Sequence, residues 1–220
     1  MMSAPTTEDR IRELVRDLRP VRRIPRLRSV FGAAVAFVVV ATALLAGLGG
    51  PGLRSLPEPA ARLPYLCVLV GLIGSMSGAL VGGLAAVVPG RARVARRSFW
   101  WAGAGLALAT FVAVAGMIAQ GHGGLAATWA SAWHCVVRAF VLALGPLVLA
   151  FLFIRRTASP HVVPAIAFVL WGAVALGAAA VHGTCASDEP GHWLLGHALP
   201  PLAAVLVLTL PLALLLRPRR

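Results

Sequence analysis

The residues in this chain with the most chemistry to offer are three cysteines and six histidines among 220 positions. Thiolate sulfur and neutral imidazole nitrogen are donors for soft or borderline metals such as zinc, copper or cadmium. In an oxidising compartment two thiols can instead close a disulfide, provided their Cα atoms approach within about 7 Å. Cys135 opens one apolar stretch. Cys185 lies in the segment HGTCASDEPGH, from His182 to His192, which also holds Asp188 and Glu189. The candidate sensing residues, for a thiol or metal signal, are therefore Cys135, Cys185, His182 and His192. The candidate metal ligands are Cys135, Cys185, His134, His182, Asp188 and His192. No CxxC or HExxH spacing is present, so disulfide and metal both stay open, and three cysteines leave one over in any pairing. Cys67 stands inside an apolar run, where a cysteine is ordinarily a small packing residue. No nucleophile with a paired base and no Gly-rich phosphate loop accompanies these groups. No catalytic residue is assigned, no enzyme is expected, and no cofactor is required; a soft or borderline metal ion enters only as a signal.

The elements that position these residues follow from composition. The chain is 59% hydrophobic and 12% charged, whereas a soluble domain is about half apolar and about a quarter charged. The excess is gathered into runs of about twenty residues, the length that crosses roughly 30 Å of hydrocarbon. Six such spans are expected: Ser29 to Gly49, Pro64 to Val88, Ser98 to Gln120, His134 to Ile154, Val163 to Val181, and Trp193 to Leu216. The fold class is all-α, a polytopic membrane protein. This excludes a soluble enzyme, a secreted disulfide scaffold and a basic nucleic-acid-binding domain. The expected organisation is a cytoplasmic arm and basic linker (1–28), a six-helix membrane domain (29–216) and a basic tail (217–220).

All twenty basic residues are arginines, and seventeen fall on one side of this map. The positive-inside rule then puts both termini in the cytoplasm, and an even number of spans independently requires them to share a side. The net charge of +13 is thus a topology and lipid-headgroup signal, with no direct nucleic-acid contact implied. The cysteine- and histidine-rich segments fall on the outer side. Trp100 and Trp101 at one boundary, and Tyr65, Trp129, Trp133 and Trp193 at the other, read as interfacial anchors. Arg138, one turn from His134, is close enough to the boundary to snorkel. Gly74, Gly78 and Gly82, four apart, form a helix-packing face, and Pro146, Pro200, Pro201 and Pro211 are expected to kink spans four and six.

In the arm, Thr6 and Asp9 have capping-box spacing, and Ile11, Leu14, Val15 and Leu18 form one apolar stripe before Pro20 stops the helix. So short a helix needs a surface to lie on. Anionic lipid and a groove on a cytoplasmic partner are the two choices, with Ile11, Leu14, Val15 and Leu18 as the partner-binding face in the second.

These features together resemble the NrsF family, six-span negative regulators of extracytoplasmic-function sigma factors. The resemblance rests on LRPVRRI (Leu18 to Ile24), AAVVPG (Ala85 to Gly90), Cys135 with Pro146 after it, RR-x-x-SP (Arg155 to Pro160), and the His-Cys-acidic-Pro-His order from His182 to His192. The family's closer His–Cys spacing is relaxed here to HGTC, its downstream aromatic pattern is reduced to Trp193 and His197, and Cys67 matches no family position. The resemblance implies a membrane-bound anti-sigma factor of the bacterial inner membrane. Its arm would sequester an extracytoplasmic-function sigma factor, and a redox or heavy-metal signal at Cys135 and Cys185 would release it. Without the resemblance, the residues also admit a small metal or anion transporter or a structural membrane scaffold. Intramembrane carboxylates, which ion-coupled transport normally uses, are missing from the spans.

Overall fold

The computed structural model describes residues 27–47, 59–120, 125–155 and 162–215, together with Glu8. Among these residues every regular element is helical: α1 (Leu27–Gly47), α2 (Pro59–Ala86), α3 (Ala92–Gln120), α4 (Leu125–Ile154), α5 (Val162–His182), α6 (Pro190–Trp193) and α7 (Pro200–Leu215). A π-helical turn, Leu194–Ala198, joins the last two. Apolar sequence in hydrocarbon has few alternatives, because each backbone group must find its partner within the segment. Five stretches are long and apolar enough to cross a membrane: Arg62–Ala86, Ala92–Gln120, Thr128–Ile154, Val162–His182 and Pro190–Leu215. A shorter apolar stretch, Phe31–Ala43, lies within α1. The helices start earlier than hydropathy alone suggests, α3 at Ala92 and α4 at Leu125. Hydropathy registers the hydrocarbon crossing, whereas helical hydrogen bonding continues through the polar interface.

α2 and α3 form a tight antiparallel hairpin. Its turn needs Gly90, whose φ of +79° is open to glycine at little cost. Along the pair, glycine lets backbone lie on backbone. A Cβ at Gly71 would stand 2.7 Å from the Gly105 carbonyl oxygen, and one at Gly78 would stand 2.5 Å from the Ala102 nitrogen. Gly74 faces the Gly105 Cα and Gly82 faces the Ser98 Cβ, so the expected glycine face is used inside the bundle, with Gly71 and Gly105 completing it. α5 packs on α2 through Gly83 against Val169 and Gly172 against Leu80, and on α4 through Gly177 against Ala139. Fully buried Ala173, Val174, Ala175 and Ala178 make α5 the centre of the bundle. Ser75, also fully buried, accepts a 2.8 Å hydrogen bond from Trp171 Nε1. Outer faces carry exposed Phe111, Ile118, Leu206 and Leu210, side chains suited to lipid.

Two expectations need revision. Trp100, Trp101, Trp129 and Trp133 are exposed, as anchors should be, but Tyr65 and Trp193 are buried. Their polar tips are satisfied inside: Tyr65 Oη donates to the His182 carbonyl at 3.3 Å and Trp193 Nε1 to the Ser187 carbonyl at 2.8 Å. In the sixth span the interruption precedes the prolines. Leu199 N–H donates to the Leu194 carbonyl at 3.0 Å, five residues back, and Pro200 then opens α7. Pro146 lies inside α4 and Pro211 inside α7, and neither ends its helix.

Candidate thiol and imidazole site

At the end of the bundle where α2 and α4 begin and α5 finishes, four side chains converge: Cys135 from α4, Cys185 from the 183–189 loop, His192 from α6 and His197 from the π turn. One ligand atom from each lies within 4.8 Å of all the others. The sulfurs of Cys135 and Cys185 are 3.8 Å apart, and His192 Nε2 is 3.3 Å from each of them. Beneath them pack Tyr65, Val68, Ala139, Val181, Trp193 and Ala198, an apolar floor that strengthens polar contacts made above it.

The orientation of His192 follows from its neighbours. The Ser131 hydroxyl donates to the Thr128 carbonyl at 2.9 Å and lies 3.2 Å from His192 Nδ1. A hydroxyl has a single proton to donate, so Nδ1–H donates to Ser131 Oγ and the Nε2 lone pair faces the sulfurs. Thr128 Oγ1 donates to Glu189 Oε1 at 2.8 Å, which ties the loop to the start of α4. The Cys135 thiol beside it holds the Cys185 thiol below its ordinary range, and burial works in the opposite sense.

Of the residues expected from sequence, Cys135, Cys185 and His192 meet here. His182 lies one layer behind. It stacks on Tyr65 at 4.5 Å, and its Nε2 is 3.2 Å from the Tyr65 carbonyl, an acceptor that requires the proton on Nε2. His182 thus ties α2 to α5, and its ring lies 5.0 Å from that of His197. His134 and Asp188 are exposed and outside the cluster. Cys67, half-buried on α2, is also outside it. Ile11, Leu14, Val15 and Leu18 fall outside the described residues.

His197 was not among the expected ligands. Residues five apart on an α-helix diverge by about 140°, since each residue turns about 100°. The π turn closes one residue later than an α turn and brings His192 and His197 to a ring separation of 5.5 Å. The sequence does carry a signal for this: Pro200 and Pro201 deny α-helical donors to the carbonyls of Gly196 and His197. Chemically, two adjacent thiols can be oxidised to a disulfide, and two thiols with two imidazoles can hold a soft or borderline metal.

Fold and site define a polytopic helical membrane protein with a buried thiol–imidazole cluster at one end. The family model described as negative regulator of sigma F, NrsF, matches residues 14–217. The chain belongs to that family, and a sigma factor is the partner that its description implies. No curated protein and no solved structure gives a match.

Proposed function

We propose that this chain is a membrane-bound anti-sigma factor. Its arm holds an extracytoplasmic-function sigma factor at the bacterial inner membrane, and a redox or heavy-metal signal at the outer face releases it. The family match over residues 14–217 carries this reading. The 3.8 Å approach of Cys135 and Cys185 supports the sensing half, since it couples α4 to the loop after α5. The arginine distribution supports an inward-facing arm and an outward-facing cluster. On the arm, Ile11, Leu14, Val15 and Leu18 are the docking stripe.

The test is co-purification of the tagged full-length chain with co-expressed sigma factors, beside a version lacking residues 1–24. The expected outcome is retention of one sigma factor, lost with the arm. In cells, Leu14→Asp with Leu18→Asp should derepress the sigma factor's regulon while membrane insertion persists. Repression at the wild-type level in that double variant removes the arm from the mechanism.

A further inference from the structure

We propose that Cys135, Cys185, His192 and His197 form a closed four-coordinate site for a divalent ion of zinc or cadmium type, with His197 as its fourth ligand. This rests on the sensing role proposed above for the two cysteines, and narrows it from thiol chemistry in general to metal coordination.

Three observations carry it. The first is spacing. With metal–sulfur bonds of about 2.3 Å and metal–nitrogen bonds of about 2.0–2.1 Å, a tetrahedral ion sets its sulfurs about 3.8 Å apart and each sulfur about 3.6 Å from nitrogen. The protein has 3.8 Å between the sulfurs and 3.3 Å from each sulfur to His192 Nε2. The His197 corner is within 4.8 Å of the others, the loosest side of the figure. The second is His197 itself. It is 0% exposed, and among the described residues neither of its ring nitrogens makes a hydrogen bond of ordinary geometry, although Cys185 lies near enough to act on it. A buried imidazole left so costs free energy unless something accepts its lone pair. A disulfide between Cys135 and Cys185 would use both sulfurs and give His197 nothing; a metal ion uses all four groups. The third is preparation. Ser131 holds His192 with Nε2 toward the sulfurs, the kind of outer hydrogen bond that orients metal-bound histidines.

The ligand set selects the ion. Two thiolates and two imidazoles suit a borderline or soft metal and disfavour magnesium and calcium. On loading, both sulfurs bind as thiolates, any proton they still hold going to solvent, and both imidazoles bind neutral. Four protein ligands leave no open position for a water, which makes the site one for holding an ion rather than for catalysis.

The test uses the full-length chain, purified in detergent with its thiols reduced, stripped by chelator and reloaded with zinc, cadmium or cobalt in separate arms. One zinc or cadmium ion per chain is expected. Cobalt should give the intense visible bands of tetrahedral coordination and a thiolate charge-transfer band. Metal loading should also protect Cys135 and Cys185 from alkylation, read by peptide mass, a measurement that needs no variant. His197→Gln should weaken zinc binding by more than the about 10- to 100-fold typical of losing an outer-sphere group. A wild-type chain that takes up no ion, or gains no protection, overturns the site, and unchanged affinity in a folded His197→Gln chain overturns the fourth ligand. Sigma-factor retention is read in the same preparation. Retention without metal uptake overturns the site alone, whereas uptake without retention supports the site and sinks the anti-sigma reading.

Discussion

At the scale of single residues, the cluster depends on side chains that never touch an ion. Ser131 fixes His192 through Nδ1, so Ser131→Ala should lower zinc affinity about 10- to 100-fold with little change in stability, measured by competition against a chromogenic chelator. Tyr65 and His182 make a reciprocal pair, hydroxyl to carbonyl in one direction and imidazole to carbonyl in the other. Tyr65→Phe removes one of these bonds and should cost about 1 kcal/mol, seen as a lower melting temperature in detergent. Cys135, Cys185 and His192 were legible as residues because donor types gather in one part of the map. His197 was hidden because five-residue spacing does not belong to an α-helical face. His182 has a type that suits a ligand, but its Nε2 lies 3.2 Å from the Tyr65 carbonyl, a partner that sequence cannot display.

At the scale of elements, the six apolar runs announce helices by length alone, and the structure describes helix in all six. Sequence also marked the glycine face of α2, but not its partner. Spacing says that Gly78 permits a close neighbour; only the fold shows that the neighbour is the Ala102 backbone at 2.5 Å from a notional Cβ. Gly78→Leu should therefore separate α2 from α3, at a cost above the about 1–3 kcal/mol of ordinary overpacking. Gly103→Ala, where nothing lies within 4 Å of the added carbon, should leave thermal stability unchanged. The two variants side by side, followed by thermal unfolding in detergent, separate packing from glycine content. The π turn escaped the reading because hydropathy is blind to a one-residue change in helical winding.

At the scale of the whole molecule, the arginine distribution and the positive-inside rule argue for arginine-rich segments on one side of a membrane and the thiols on the other. An alkaline phosphatase fused after Arg220 should stay inactive in cells, and one inserted in the 183–189 loop should be active. The reverse pattern would turn the protein over and place the cluster in the cytoplasm. The order of donors along the chain has a consequence for how each copy is made. Cys135 precedes the buried helix α5, and Cys185, His192 and His197 follow it. Synthesis runs from the N-terminus, so both thiols emerge before either imidazole. A nascent chain stalled between α5 and α6 carries two sulfurs with neither histidine to hold them, and only one completed through Ala198 can shut the cluster. Closure of the cluster therefore waits until the chain has been made through His197.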